Sequence, residues 1–197
     1  MSGTVLQMSW ASLRHGPLLW YLNRGSGIAV LVLLTLGLIA GIVGASHTAG
    51  RLVPAFAIQR LHRNLTLLCV GFVALHASAA ILDTFVHIGW WEMVWPFDDT
   101  YRPVWLGLGV GAFDLMLLLT GTSLWRHRLN PRLWRFIHWT GYLVWPIAIV
   151  HAWGTGTDES RVWARDTAAL CAFALFLAVI ARLTARRRNL VPLPTRR

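Results

Sequence analysis

The stretch LHRNLTLLCVGFVALHASA, residues 61–79, decides how this chain folds. It is apolar enough to lie in lipid, yet it carries His62 and, fourteen positions later, His76. A second stretch, RFIHWTGYLVWPIAIVHAWG at 135–154, repeats the pattern with His138 and His151, thirteen positions apart. At 1.5 Å rise per residue, each pair is separated by about 20 Å along its helix. Ionisable groups at such depth are costly and usually serve a function.

The rest of the chain agrees with a lipid environment. Of 197 residues, 56% are hydrophobic and only 13% are charged, too few to cover a water-soluble domain of that size. The apolar residues fall in five runs near the length of about 20 residues that crosses a hydrocarbon core of about 30 Å. These runs are Ser26–Ala45, Leu61–Thr84, Val104–Trp125, Leu133–Trp153 and Val162–Leu183. No strand-like alternation is present, which argues against a β-barrel. The expected fold is an all-α integral membrane protein, a bundle of five transmembrane helices.

Three regions are expected: a segment 1–25 outside the membrane, a membrane domain 26–183 and a basic tail 184–197. Gly44-Ala45-Ser46 offers small residues for signal cleavage, but the preceding apolar run exceeds a signal-peptide core of about 7–15 residues. Trp20, Tyr21 and Arg24 read as an interfacial anchor before a retained first helix. Cys69 and Cys171 each sit inside a span, form no CxxC motif, and read as small packing residues.

All 18 basic residues are arginine, and their distribution sets the orientation. The loops after spans one and three and the C-terminal tail hold thirteen of them, with no acidic residue. The opposite side holds five arginines and seven acids. The positive-inside rule then places the N-terminus outside and the C-terminus in the cytoplasm. A net charge of +10 spread over loops and tail suits topology and anionic headgroups, and no nucleic-acid partner is expected. Spans two and four therefore run parallel. The aromatic loop 85–103, with Trp90, Trp91, Trp95, Phe97 and Tyr101, reads as a headgroup-level belt or as a docking surface.

Parallel spans pair the four histidines by depth, His62 with His138 toward the cytoplasm and His76 with His151 toward the outside. A six-coordinate haem takes one neutral imidazole on each face, so two facing helices can clamp it. Fourteen residues fall about 40° short of four turns, whereas thirteen leave His138 and His151 about 140° apart on an ideal helix. Pro146 lies between them and permits a kink. Satisfied core histidines remain the bland alternative. His15, His47, His87 and His127 are single and read as solvated.

The paired histidine helices, with LHRN (61–64), YRPVWLGLG (101–109) and HAWGTGTD (151–158), resemble the ferric reductase-like transmembrane domain. That superfamily includes ferric reductases, NADPH oxidases and the haem membrane subunit of the bacterial methionine sulfoxide reductase system. The similarity covers roughly residues 18–183 and is strongest to stand-alone bacterial members. It implies two bis-histidine haem b groups, a plasma-membrane location and electron flow from inside to outside. Many members have six spans, and full-length reductases add flavin and nicotinamide domains. Here only the tail 184–197 follows span five, and no GxGxxG loop occurs. The expected donor is therefore a separate flavoprotein or a quinol, and the acceptor lies outside. With the inside negative, a full outward crossing is assisted by about 2.3 kcal/mol per 100 mV.

Arginine forks suit haem propionates. Arg60, Arg63 and Arg135 lie at the inner level, and Arg24 and Arg102 at the outer level; ordinary flanking charge is the alternative for each. Gly71 and Gly141 either admit a porphyrin or pack helices. Trp139 and Trp145 either shield the cofactors, relay electrons or fill the core. Asp114, in mid-span, is a candidate proton relay that must be protonated, paired or facing a polar cavity. A rival from a different class is a transporter or assembly subunit whose histidines bind another metal or conduct protons.

Overall fold

The computed structural model describes residues 17–45, 53–83, 89, 91, 95, 97, 102–155 and 162–190, without the side chains of 187–190. Six α-helices account for nearly all of them: α1 (Pro17–Gly44), α2 (Ala55–Leu82), α3 (Pro103–Leu124), α4 (Pro131–Trp139), α5 (Gly141–Thr155) and α6 (Val162–Leu190). In lipid every backbone polar group must be satisfied within the protein, and an α-helix does this locally. Proline sets several of the starts. Pro17, Pro103 and Pro131 open their helices where a missing N–H costs nothing, and Pro54 caps α2. Asn130 caps α4, its side-chain oxygen accepting the Arg132 N–H at 2.9 Å.

Among the described residues, α1, α2, α3 and α6 are each long and apolar enough to cross a membrane. The fourth expected span is divided. Expected over Leu133–Trp153, it is helical over Pro131–Thr155, but α4 ends at Trp139 and α5 begins at Gly141. The first span also starts earlier than its apolar run suggests. Trp20, Tyr21 and Arg24 lie on α1 itself, so the expected segment 1–25 already contains helix from Pro17. The last helix continues past Leu183 to Leu190. His15, His47, His87, Trp90 and Tyr101 lie outside the described residues.

α1 is the hub of the bundle. It packs along α2 and also meets α6 and α5, while α3 packs on α5 and α4. Small side chains allow this close approach: Ser26, Thr35, Gly37 and Ala40 on α1, and Cys69 and Ala79 on α2, are buried. Cys69 is 1% exposed with its thiol turned to the Val30 carbonyl, and Cys69 and Cys171 are both free and buried. Leu67, Leu68, Phe173, Phe176 and Leu177 face outward, as lipid permits. α2 does not pack closely on α4 or α5; its neighbours are α1 and, more lightly, α3. The two histidine-bearing elements therefore stand apart.

The break in the fourth span falls at Thr140, well before Pro146, and α5 runs on through the proline. At the break the hydrogen bonds tighten to the i→i+3 pattern. The Thr140 N–H donates to the Ile137 carbonyl at 3.0 Å, and the Leu143 N–H donates to the Thr140 carbonyl at 2.9 Å. The Thr140 hydroxyl adds a bond to Ile137 O at 2.6 Å. Each residue wound at three per turn advances about 20° more than in an α-helix. That overwinding works against the offset that an ideal helix would leave between His138 and His151.

Candidate functional site

The four histidines come together as two pairs. The rings of His62 and His138 have centroids 6.1 Å apart and planes at 82°. Those of His76 and His151 are 6.4 Å apart with planes at 90°. Pairing in this order requires α2 and the α4–α5 pair to run in the same direction, as the charge asymmetry predicts.

The spacing has a chemical meaning. An imidazole nitrogen binds a first-row metal at about 2.0 Å, with its ring centroid about 1.1 Å behind, so two trans imidazoles on one ion hold centroids about 6.2 Å apart. The observed 6.1 and 6.4 Å bracket that span closely. Among the described residues there is no group of three or more His, Cys, Asp or Glu able to hold a metal ion. Two protein ligands fall short of a tetrahedral zinc site. They suffice for iron whose other four ligands come from a porphyrin.

Tautomers are set by backbone carbonyls. The Nδ1–H of His62 donates to Gly37 O, that of His76 to Asn23 O and that of His151 to Trp105 O, each at 2.8 Å. A carbonyl can only accept, so Nδ1 carries the proton and Nε2 keeps its lone pair. Such outer bonds orient a ligating imidazole and raise its basicity. His138 differs: its Nδ1 is buried without a hydrogen-bond partner, and its ring stacks on Trp134 at 5.0 Å and 20°.

The expected arginines divide into two groups. Arg102 has left-handed backbone (φ 47°) just before α3, and its guanidinium donates to the Gly154 carbonyl, three residues past His151. Arg24 lies next to Asn23, the carbonyl partner of His76, with its guanidinium 3.8 Å from the Trp20 ring centroid. Arg60, Arg63 and Arg135 are exposed and lie near His62 and His138 in sequence. His127 is also exposed, on the turn after α3.

Residues 26–149 match the family of the ferric reductase like transmembrane component. The chain belongs to that family. Three of the four paired histidines fall inside the match, and His151 lies just beyond it. The chain is also 29% identical over 114 residues to the protein-methionine-sulfoxide reductase heme-binding subunit MsrQ of Caulobacter vibrioides. That alignment covers 56% of this chain and 52% of the relative, so the chain matches about half the length of that protein. No solved structure matches the chain. As a ferric reductase-like component with several apolar helices, it is a multi-pass bacterial membrane protein.

Within this ferric reductase-like component some side residues fall into place. Trp145 donates its Nε1–H to the Thr35 hydroxyl at 2.9 Å, and Thr35, 3% exposed, passes the bond to Leu31 O at 2.8 Å. Trp139 is 66% exposed. Gly141 packs against Leu119, whereas a Cβ at Gly71 would meet open space. Asp114 is half-buried on α3 and has no hydrogen-bond or ion-pair partner among the described residues. Asn23 is a site residue that sequence reasoning missed. Its only signal is a polar amide one position before Arg24.

Proposed function

We propose that this protein carries electrons across the bacterial plasma membrane with two bis-histidine haem b groups. His62 and His138 hold the inner one, and His76 and His151 hold the outer one. A cytoplasmic flavoprotein or a quinol is the donor, and the acceptor is extracytoplasmic. The observation that carries the reading is the double match of ring spacing, 6.1 and 6.4 Å, to two imidazoles on one iron. Membership of the ferric reductase-like family and similarity to a heme-binding subunit support it.

Bound haem supplies a one-electron carrier at each level. The protein's part is to hold and orient. Gly37, Asn23 and Trp105 present carbonyls that fix three imidazoles with Nε2 free. Trp134 supports the fourth ring by stacking. Arg102 and Arg24 are the propionate partners at the outer level, and Arg60, Arg63 and Arg135 at the inner level. The N-terminus lies outside and the basic tail 184–197 inside, with α4 and α5 together forming the fourth of five spans. Were each ring pair to hold one haem, the two imidazoles would occupy the positions an oxygen molecule needs, and the group would supply relay rather than oxygen chemistry.

The test is an absorption spectrum of protein purified from haem-replete cells. A b-type spectrum with two haems per chain is expected. A folded, colourless protein overturns the reading.

A further inference from the structure

Three of the paired histidines share a device that their own helices do not reveal. Each donates Nδ1–H to a carbonyl on a neighbouring helix, and four residues beyond each acceptor stands a glycine. Asn23 is followed by Gly27, Gly37 by Gly41, and Trp105 by Gly109. The same glycine lies under the same ring each time. A Cβ on Gly27 would come within 3.1 Å of His76 Cε1, and one on Gly41 within 3.3 Å of His62 Cε1. A Cβ on Gly109 would overlap the His151 ring.

The physical reason is helix geometry. The carbonyl of residue i already accepts the N–H of residue i+4, leaving one lone pair. Every Cα–Cβ bond tilts toward the helix N-terminus, so the side chain at i+4 covers the turn that contains that carbonyl. Glycine at i+4 uncovers it, and an imidazole can lie flat on the helix and reach the remaining lone pair. Other glycines lack this role: a Cβ added to Gly25, Gly111 or Gly121 would meet nothing within 4 Å. His138, the ring without a carbonyl partner, has no such glycine beneath it among the described residues.

We infer that Gly27, Gly41 and Gly109 are ligand-positioning residues, each a notch that lets a backbone carbonyl four residues earlier accept the Nδ1–H of one haem-ligating histidine. The inference rests on the haem reading above and deepens it. Gly41 serves the inner level alone, through His62. Gly27 and Gly109 serve the outer level, through His76 and His151. Losing an Nδ1–H bond makes the imidazole a weaker donor and disfavours ferric relative to ferrous iron.

The experiment is redox titration of the full-length haem-loaded protein, with electron paramagnetic resonance of the two ferric signals. Gly41→Ala is expected to raise the midpoint of one haem by up to tenfold in relative ferric affinity, about 59 mV for one electron. Gly27→Ala and Gly109→Ala should move the other haem and leave the first in place. Gly111→Ala and Gly121→Ala should move neither. Gly109→Ala carries the severest overlap; if it fails to fold, the milder Gly27→Ala and Gly41→Ala decide the matter. Two bound haems with both midpoints unmoved in those variants would overturn the glycine inference and leave the haem reading standing. Equal shifts of both haems in every variant would do the same. Wild-type protein without haem would overturn both.

Discussion

Asn23 and His76 hold each other by two reciprocal hydrogen bonds. The His76 Nδ1–H donates to the Asn23 carbonyl at 2.8 Å, and the Asn23 side-chain amide donates back to the His76 carbonyl at 3.0 Å. One bond sets a tautomer and the other fastens α1 to α2 at the same level. The carbonyl of residue 23 survives any substitution there, so the two bonds can be separated.

Asn23→Leu removes only the return bond. A net loss of about 1 kcal/mol is expected, the usual worth of one such bond. Haem absorbance followed through thermal unfolding reads it, with outer-level haem released first. Unfolding at the wild-type temperature would show that the amide bond is not a fastener.

If each ring pair holds one haem as proposed, alanine at any one of His62, His76, His138 or His151 should lower the haem content from two per chain to one, because a single imidazole would hold the group weakly. The double variant of His62 and His76 should carry none. His127→Ala, on the exposed turn, should keep both. A pyridine haemochrome assay on purified protein supplies the counts.

Arg102 combines a left-handed backbone with a tie to Gly154 at the end of α5. A non-glycine residue in that region costs of order 1 kcal/mol or more, which the tie helps to offset. Arg102→Gly relieves the backbone and loses the guanidinium, whereas Arg102→Ala loses the guanidinium alone. Both should weaken outer-level haem binding, and Arg102→Ala should be the less stable of the two. Haem retention under dilution and thermal midpoints measure the two effects separately.

Thr35→Val leaves the Trp145 indole N–H unpaired in a part-buried setting. The expected cost is about 1–3 kcal/mol, since the donor loses its partner without regaining water. Thr35→Ser keeps the hydroxyl and should behave as wild type. Thermal stability in detergent distinguishes them, and equal stability of the two variants would show that the indole finds another acceptor.

Pro146→Ala tests which residue interrupts the fourth span. Because the i→i+3 turn at Thr140 makes the break and α5 is continuous through Pro146, both haem signals should be unchanged. A shift in the outer-level signal would assign the reorientation to the proline.

Much of this protein was written in local sequence. Apolar runs of near-bilayer length, bounded by proline and arginine, determined the helices, because in lipid a backbone has few other ways to satisfy itself. The spacing of His62 and His76 put both on one face of a single helix, and the arginine asymmetry made α2 and the fourth span parallel. From those two facts the pairing followed. Tertiary structure decided what spacing could not. Thirteen residues left His138 and His151 on different faces of an ideal helix, and the break at Thr140 depends on a turn chemistry that no periodicity displays. The partners of the rings were equally hidden. Asn23, Gly27, Gly41, Trp105 and Gly109 lie on α1 and α3, far along the chain from the histidines they touch, and only helix packing brings a carbonyl to an imidazole. Depth is a property of one helix and its charges; orientation of a ring belongs to the helix it lies against.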